Sequence, residues 1–393
     1  MAVVDEVREA LEQAVPDFSD RSGDWASVFA LAQAGEGDRP GRAGASQSRR
    51  RRGLIALAVA VLVVVVATAS AFGTVRNLIL GSPSASAGSP VWSPDGRRIA
   101  YIVSRGSRNS LYVMNADGSK QRRLARNEVD YPRAQWSPDG RRIAFLRGVR
   151  LDGGNWKADL YVVNPNGSEL RNLGGHPGAW SLYAWSPDGR LIAFTRERGE
   201  LAVMNADGSG MRVLARGGSP AWSPDGRRIA FTDAYSTVWV MNADASAKRR
   251  LTQGGEVGSL RWSPDGRKIL LYCLKCAGDS TSRFNSRLSG WGEIYVMNAD
   301  GSGLRNLTRD PHAARCCPEW SPDGRKIAFA TTERGGEIVV MNADGSGKRT
   351  LADGYAQVWS PDGRKLAFES DRSGKGEIHV MNVDGSGQRN LSR

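Results

Sequence analysis

From residue 90 to the end of the chain, apolar residues alternate with small or polar ones in short runs, and no run keeps the three-to-four-residue spacing of a helix face. "PAW", "RIAF", "WVMN" and "RLT", between Pro220 and Thr252, show the pattern. A two-residue period sends successive side chains to opposite sides of a strand, so each run predicts a short strand. Ser-Pro-Asp-Gly separates the first run from the second. Proline presets φ for a type I turn and glycine takes the left-handed position that closes it. Asn-Ala-Asp-Gly-Ser-Gly separates the third run from the fourth, with Asp-Gly as the hairpin signal. Four antiparallel strands joined by tight turns are predicted for the unit.

The unit recurs. WSPDGR begins at Trp92, Trp136, Trp185, Trp222, Trp262, Trp320 and Trp359, at spacings of 44, 49, 37, 40, 58 and 39 residues. The second half, plainest as "IYVMNADGSGLRNLT" from Ile294 to Thr308, repeats its asparagine at Asn115, Asn164, Asn205, Asn242, Asn298, Asn342 and Asn382. A period of a few tens of residues announces an array, and four short strands bury both faces only when like sheets flank them on each side. The expected fold is all-β: a seven-bladed β-propeller of four-stranded antiparallel blades. The tryptophans, with strand-two residues such as Ile229 and Phe231, are expected to pack blade on blade, and Ala230 between them to allow close approach. Two turns depart from the pattern. Asn164-Pro165-Asn166-Gly167 keeps its glycine, whereas Asn242-Ala243-Asp244-Ala245 loses it, which makes that turn the least secure.

The unit WSPDGR-(R/K)-IAF…IYVMNADGSG-x-R-x-LT resembles the repeat of the TolB-type β-propeller family, from Pro90 to Arg393. The resemblance is specific for fold. It implies relatives among periplasmic scaffold proteins and among propellers that cap prolyl oligopeptidase-like and tricorn-like peptidases, so it does not fix a function. The family's periplasmic prototype carries an α/β domain before a wheel that resembles six blades; here an apolar segment stands in that place and seven motifs are counted.

That segment, Gly53 to Phe72, is twenty residues without a charge, directly after Arg49, Arg50, Arg51 and Arg52. Its length suits a transmembrane helix, and its basic flank predicts a cytoplasmic N-terminus and an extracytoplasmic propeller. Ala69-Ser70-Ala71 leaves open a protein secreted after cleavage near Ala71. The long leader before the apolar run favours a retained anchor in the cell membrane. Residues 1–48 hold nine acidic and four basic side chains, against a net charge of +13 for the whole chain. They read as an acidic cytoplasmic segment, partly helical at Val4–Val15 or else disordered, with residues 4–29 a candidate for a cytoplasmic partner. Residues 49–72 form the flanked helix and 73–89 a linker. Arg76-Asn77-Leu78 echoes the fourth-strand motif, but seven fourth-strand signals follow seven first-strand signals, so each blade is expected to be one continuous run with no exchanged strand. The Ala/Gly/Arg-heavy composition suggests a bacterial envelope protein.

In an up-and-down blade the Ser-Pro-Asp-Gly and Asp-Gly turns share one rim, and the loops that vary share the other. From tryptophan to third-strand asparagine the spacing is 20 to 23 residues in five units, 28 in the second and 36 in the fifth. Loops that depart from the repeat on a rigid scaffold are where binding is expected. Trp156, His176, Trp180 and Tyr183, beside Tyr131 and Arg133, supply aromatic rings and a basic edge suited to sugar rings or an extended peptide; the alternative is that these rings cover their own loops. Cys273, Cys276, Cys316 and Cys317 all fall in the fifth unit's insertion and the opening of the sixth. Outside the membrane they are expected to form two disulfides of undetermined pairing, with zinc held by cysteines and His312 as the alternative.

No G-x-S-x-G elbow, phosphate-cradling glycine loop or carboxylate pair rises above the turn background, and the three histidines are dispersed. No catalytic residue, cofactor or metal is assigned. The GRR and GRK pairs make the invariant rim basic, suited to anionic headgroups or wall polymers; the predicted compartment excludes nucleic acid. The expected function is a non-enzymatic binding, scaffold or sensor module for a protein, peptide or cell-envelope polymer. The alternative is a propeller-fold enzyme such as a polysaccharide lyase.

Overall fold

The computed structural model describes residues 85–392, apart from 107, 127–133, 151–155, 175–181, 197, 254, 277–291, 310–315 and 332–335. The acidic leader, the apolar segment 53–72 and most of the linker lie outside the described residues, as do Tyr131, Arg133, His176, Trp180 and the side chains of Trp156, Cys276, Cys316 and Cys317. No helix among the described residues is long and apolar enough to cross a membrane.

Seven four-stranded sheets follow one another, each built from one continuous stretch with antiparallel neighbours in chain order. The first blade is β1 (Ser86–Trp92), β2 (Arg98–Arg105), β3 (Arg108–Asn115) and β4 (Arg122–Ala125). The inner strands of the next five are β5 (Gln135–Trp136), β9 (Tyr183–Trp185), β13 (Gly218–Trp222), β17 (Gly255–Trp262) and β21 (Cys316–Trp320). The last blade is β25 (Tyr355–Trp359), β26 (Lys365–Ser370), β27 (Glu377–Asn382) and β28 (Arg389–Asn390). The first strand takes in Ser86–Ser89, residues whose sequence reads as linker. At the far end β28 pairs with β27 through His379–Asn390 and Val380–Arg389, so the outer edge of the last blade is the chain's own C-terminal strand.

The core is divided. Seven buried clusters lie between successive blades, each joining one face of one sheet to the opposite face of the next. Between blades three and four, Trp222, Ile229, Phe231 and Met241 meet Ala193, Leu201 and Val203. Ala230, one residue along the same strand, faces the other way and joins Trp262 of blade five. The alternation of a large and a small residue therefore gives each blade a protruding face and a receiving face. The seventh cluster joins Trp92, Ile99 and Tyr101 to Ala367, Ile378 and Leu391, which closes the ring.

Both repeated turns form as their letters predict. Ser93 Oγ donates to Asp95 Oδ1 at 2.5 Å and accepts the Arg98 N–H at 2.9 Å. The Ala116 N–H donates to the Arg97 carbonyl at 2.8 Å, tying the third-to-fourth-strand turn to the first turn and setting both on one rim. The turn without glycine keeps the same bonds, the Ala245 N–H donating to the Asn242 carbonyl at 2.9 Å, with Ala245 forced to a φ of 73°. The six glycines at this place in the other blades lie between 83° and 91°.

Candidate functional site

Each inner strand runs beside the wheel's axis, and its alternation decides what the axis meets. The tryptophan that ends the strand turns into the blade interface, 6 to 8% exposed in all seven copies. The residue before it turns the other way, into an axial cavity of about 640 Å³. In chain order these residues are Val91, Gln135, Ala184, Ala221, Arg261, Glu319 and Val358. Ser89, Leu182, Ser219 and Ala356 lengthen the wall toward the variable rim. Ser89, Ser219 and Ala356 take φ of 53°, 53° and 52° at bulges in their strands, so the wall there is bent rather than ladder-straight.

The tryptophans also hold the cavity wall in place. Indole N–H groups of Trp136, Trp222, Trp262 and Trp359 donate to the carbonyls of Val91, Ala184, Ala221 and Glu319, each the axial residue of the preceding blade, at 3.0 to 3.3 Å. Those of Trp92, Trp185 and Trp320 are buried with no acceptor among the described residues. Polar groups punctuate the lining. Gln135 Nε2 donates to the Tyr183 carbonyl at 2.7 Å, Arg261 Nη1 to the Leu260 carbonyl at 2.9 Å, and Glu319 Oε2 accepts the Trp359 backbone N–H at 3.3 Å. Blades five and six thus bring a guanidinium and a carboxylate to one side of a largely apolar funnel.

Of the aromatic and basic residues singled out in the sequence, Tyr183 is the one whose side chain is described. It lies in β9, 4% exposed between blades two and three, with its hydroxyl donating to the Ala144 carbonyl at 2.9 Å, and it is also among the residues that line the axial cavity. The two-residue period explains its burial, since Tyr183 is two residues before Trp185 and shares its face. Trp156 begins a strand, its backbone paired with Arg150. Cys273, 2% exposed in β18 (Lys268–Cys276), is disulfide-bonded. His379 stacks on Phe368 at 5.5 Å with Glu377 Oε2 3.8 Å from its Nε2, a core placement. No group of three or more His, Cys, Asp or Glu side chains suited to a metal is gathered among the described residues. The axial row has a signal in the sequence that the motif itself does not include: the letter before each tryptophan differs in size and charge between copies.

Seven four-stranded blades around a lined axis define a β-propeller with a central funnel. Residues 64–218 and 293–393 match the model of the TolB β-propeller domain, and the chain belongs to that family. A stretch of 37 residues is 49% identical to the Tol-Pal system protein TolB of Thioalkalivibrio sulfidiphilus (strain HL-EbGR7), covering 9% of this chain and 8% of that relative. The chain thus matches only a small part of that relative's length. Among solved structures, an oligogalacturonate lyase from Vibrio parahaemolyticus superposes with a TM-score of 0.59 at 14% identity, over 77% of this chain and 92% of that one. The β-propeller domain of the trilobed protease from Pyrococcus furiosus, described as having an open velcro topology, gives 0.58 at 13% identity over 79% and 96%. At these identities the structural likeness is one of fold.

Proposed function

We propose that the chain is a non-enzymatic binding or scaffold module, held at the outer face of a cell membrane by residues 53–72, that takes a protein, peptide or cell-envelope polymer at its propeller. One observation carries this reading. Within a repeat whose tryptophan and first turn recur in every blade, the register facing the axial cavity varies from valine to glutamine, alanine, arginine and glutamate. The tryptophan and the strand-two Ile or Leu, which pack between blades, recur in all seven copies. A varied row on a rigid frame suits a ligand that is not itself sevenfold, with Arg261 and Glu319 as its polar anchors. On this reading Trp156, His176 and Trp180, singled out in the sequence, would contribute to binding the same ligand.

The test is cross-linking in intact cells from a photoreactive residue at position 135 or 184, with and without R261A/E319A. Discrete partners captured by the parent and lost in the double variant support the reading. An unchanged set of partners, or none, refutes it. Fractionation with protease applied to whole cells tests the topology: a propeller protected from external protease would place it on the cytosolic side. A second reading, a polysaccharide lyase, draws on the likeness to the oligogalacturonate lyase fold. Release of unsaturated products from oligogalacturonate, lost on substituting His176 or His312, would favour it.

A further inference from the structure

The rim that carries the Ser-Pro-Asp-Gly turns has thirteen cationic side chains in the pairs after its glycines, against seven aspartates. About half of these charges are occupied by the fold. In every turn the aspartate Oδ1 accepts the serine hydroxyl at 2.5 to 2.6 Å, so the carboxylate points into its own turn. The serine hydroxyl, in turn, holds Asp95 below the usual carboxylate range, with burial offsetting part of the effect. Several cations in the second place of the pair work between blades. Arg98 and Arg228 lie over the rings of Trp136 and Trp262 at 4.9 and 4.7 Å, and Arg142 Nη1 donates to the Ala206 carbonyl at 3.2 Å. Farther out, Arg122, Arg171, Arg212 and Arg349 donate to turn carbonyls of the neighbouring blade at 2.6 to 3.3 Å.

The first cation of the pair has no such employment. It is arginine seven times, at Arg97, Arg141, Arg190, Arg227, Arg267, Arg325 and Arg364. None of the seven guanidiniums donates a hydrogen bond among the described residues. Arg141 and Arg190, whose side chains are 86% exposed, come no nearer than 4.0 Å to the aspartates of their own turns. The turns that carry them form an unbroken circle, because the proline of each blade lies against the turn glycine of the next. Pro94 faces Gly140, and the series continues round to Pro361, which faces Gly96. Seven exposed arginines, each near the carboxylate of its own turn but with no side-chain hydrogen bond among the described residues, therefore stand on a fixed ring around the end of the axis.

We propose that this ring is a docking surface for a linear polyanion without aromatic bases, such as a phosphodiester wall polymer, distinct from the ligand of the axial cavity. Charge is what the surface offers, and its spacing is set by the blades rather than by mobile loops. Nucleic-acid binding without sequence preference adds stacking platforms to charge. The one aromatic among the exposed large apolar residues described, Tyr235, lies in the hairpin after β14 (Arg228–Thr232) on the opposite rim. A lipid surface is the poorer fit because β1 starts at that opposite rim.

The experiment titrates the full-length protein with long-chain inorganic polyphosphate over a range of salt. R141Q/R190Q/R227Q is compared with R105Q/R108Q/R198Q, which removes the same charge from the opposite rim. The parent is expected to bind with a steep salt dependence. The first triple variant should flatten the log–log slope by about 2, at roughly 0.7 per lost contact, and the second should leave it unchanged. Absence of binding by the parent, or equal weakening by both variants, would overturn the proposal. So would tighter binding of single-stranded DNA, or of vesicles of anionic lipid, at matched phosphate. Circular dichroism and melting curves establish that each variant is folded.

Discussion

The ring closes without an exchanged strand, and the seam between its last and first blades carries one residue that no other blade has. Glu369 in β26 occupies a place held elsewhere by Ile102, Leu146, Thr195, Thr232, Tyr272 and Ala330. Its Oε2 accepts the Ser89 N–H at 3.1 Å and its Oε1 the Tyr355 hydroxyl at 3.0 Å. Beside it the Ala87 N–H donates to the Gly376 carbonyl at 2.7 Å and the Gly376 N–H to Ser86 Oγ at 3.0 Å. Burial raises the Glu369 carboxyl above its ordinary value of 4.5; the bonds from Tyr355 and Ser89 oppose the shift, and Asp371 adds to it. A folded pKa above the unfolded one means that the native state holds the proton more tightly. The resulting stabilisation is complete below the ordinary value and is lost as pH rises through the raised one. E369Q should therefore gain stability relative to the parent as pH rises above 4.5, because its amide accepts from Ser89, donates to the tyrosine oxygen and carries no charge to bury. E369A leaves the Ser89 N–H without an acceptor and opens space, which should cost about 2 kcal/mol, the middle of the range for an unsatisfied buried donor. For a domain of this size that is a fall in Tm of about 3 to 4 °C. Thermal and denaturant unfolding of the three proteins at several pH values, with hydrogen exchange at Ala87 and Ser89, supplies the test. An E369Q variant that loses ground to the parent as pH rises, or an E369A variant as stable as the parent, would refute the reasoning.

Three other outcomes are expected. W262F should destabilise more than W185F by about 1 to 2 kcal/mol, because the first removes a bond to the Ala221 carbonyl while the second removes an N–H that has no acceptor among the described residues; denaturant titration of both measures it. A245G should stabilise by about 0.5 to 1 kcal/mol, since alanine is strained at a φ of 73°. The reciprocal G301A should destabilise by about 1 to 3 kcal/mol, its new Cβ falling 3.1 Å from the Leu251 carbonyl oxygen as well as adopting a φ of 85°, again read by unfolding. Reduction of the protein, or C273S, should lower stability by about 2 to 4 kcal/mol, with thiol titration before and after reduction as the check; an unchanged Tm after complete reduction would count against a stabilising bond at Cys273.

How far the wheel could be read from its letters follows from where its forces act. Turn chemistry is local: serine, proline, aspartate and glycine close a hairpin through bonds among residues five apart or fewer, so both turns and their common rim are legible. The glycine-free turn at Ala245, least secure on paper, forms because its remaining bonds to Asn242 and Asp244 outweigh the strain. Tyr183 shows the opposite case. Its neighbours suggest an exposed loop, but whether an aromatic ring faces solvent depends on the strand's register against blade two, an interaction across 39 residues.

By itself the sequence determined the number of blades, the four strands in each, the turns between them and the role of tryptophan as a packing residue. All are consequences of alternation and turn propensity repeated seven times. Only the tertiary structure decided that these tryptophans hold the axial wall by their indole N–H groups and that the residue before each one lines the funnel. It also decided that the closing seam rests on a buried carboxylate. The reason is that such properties arise between blades, where two stretches far apart in the chain meet, and the periodicity of either stretch alone does not specify the other.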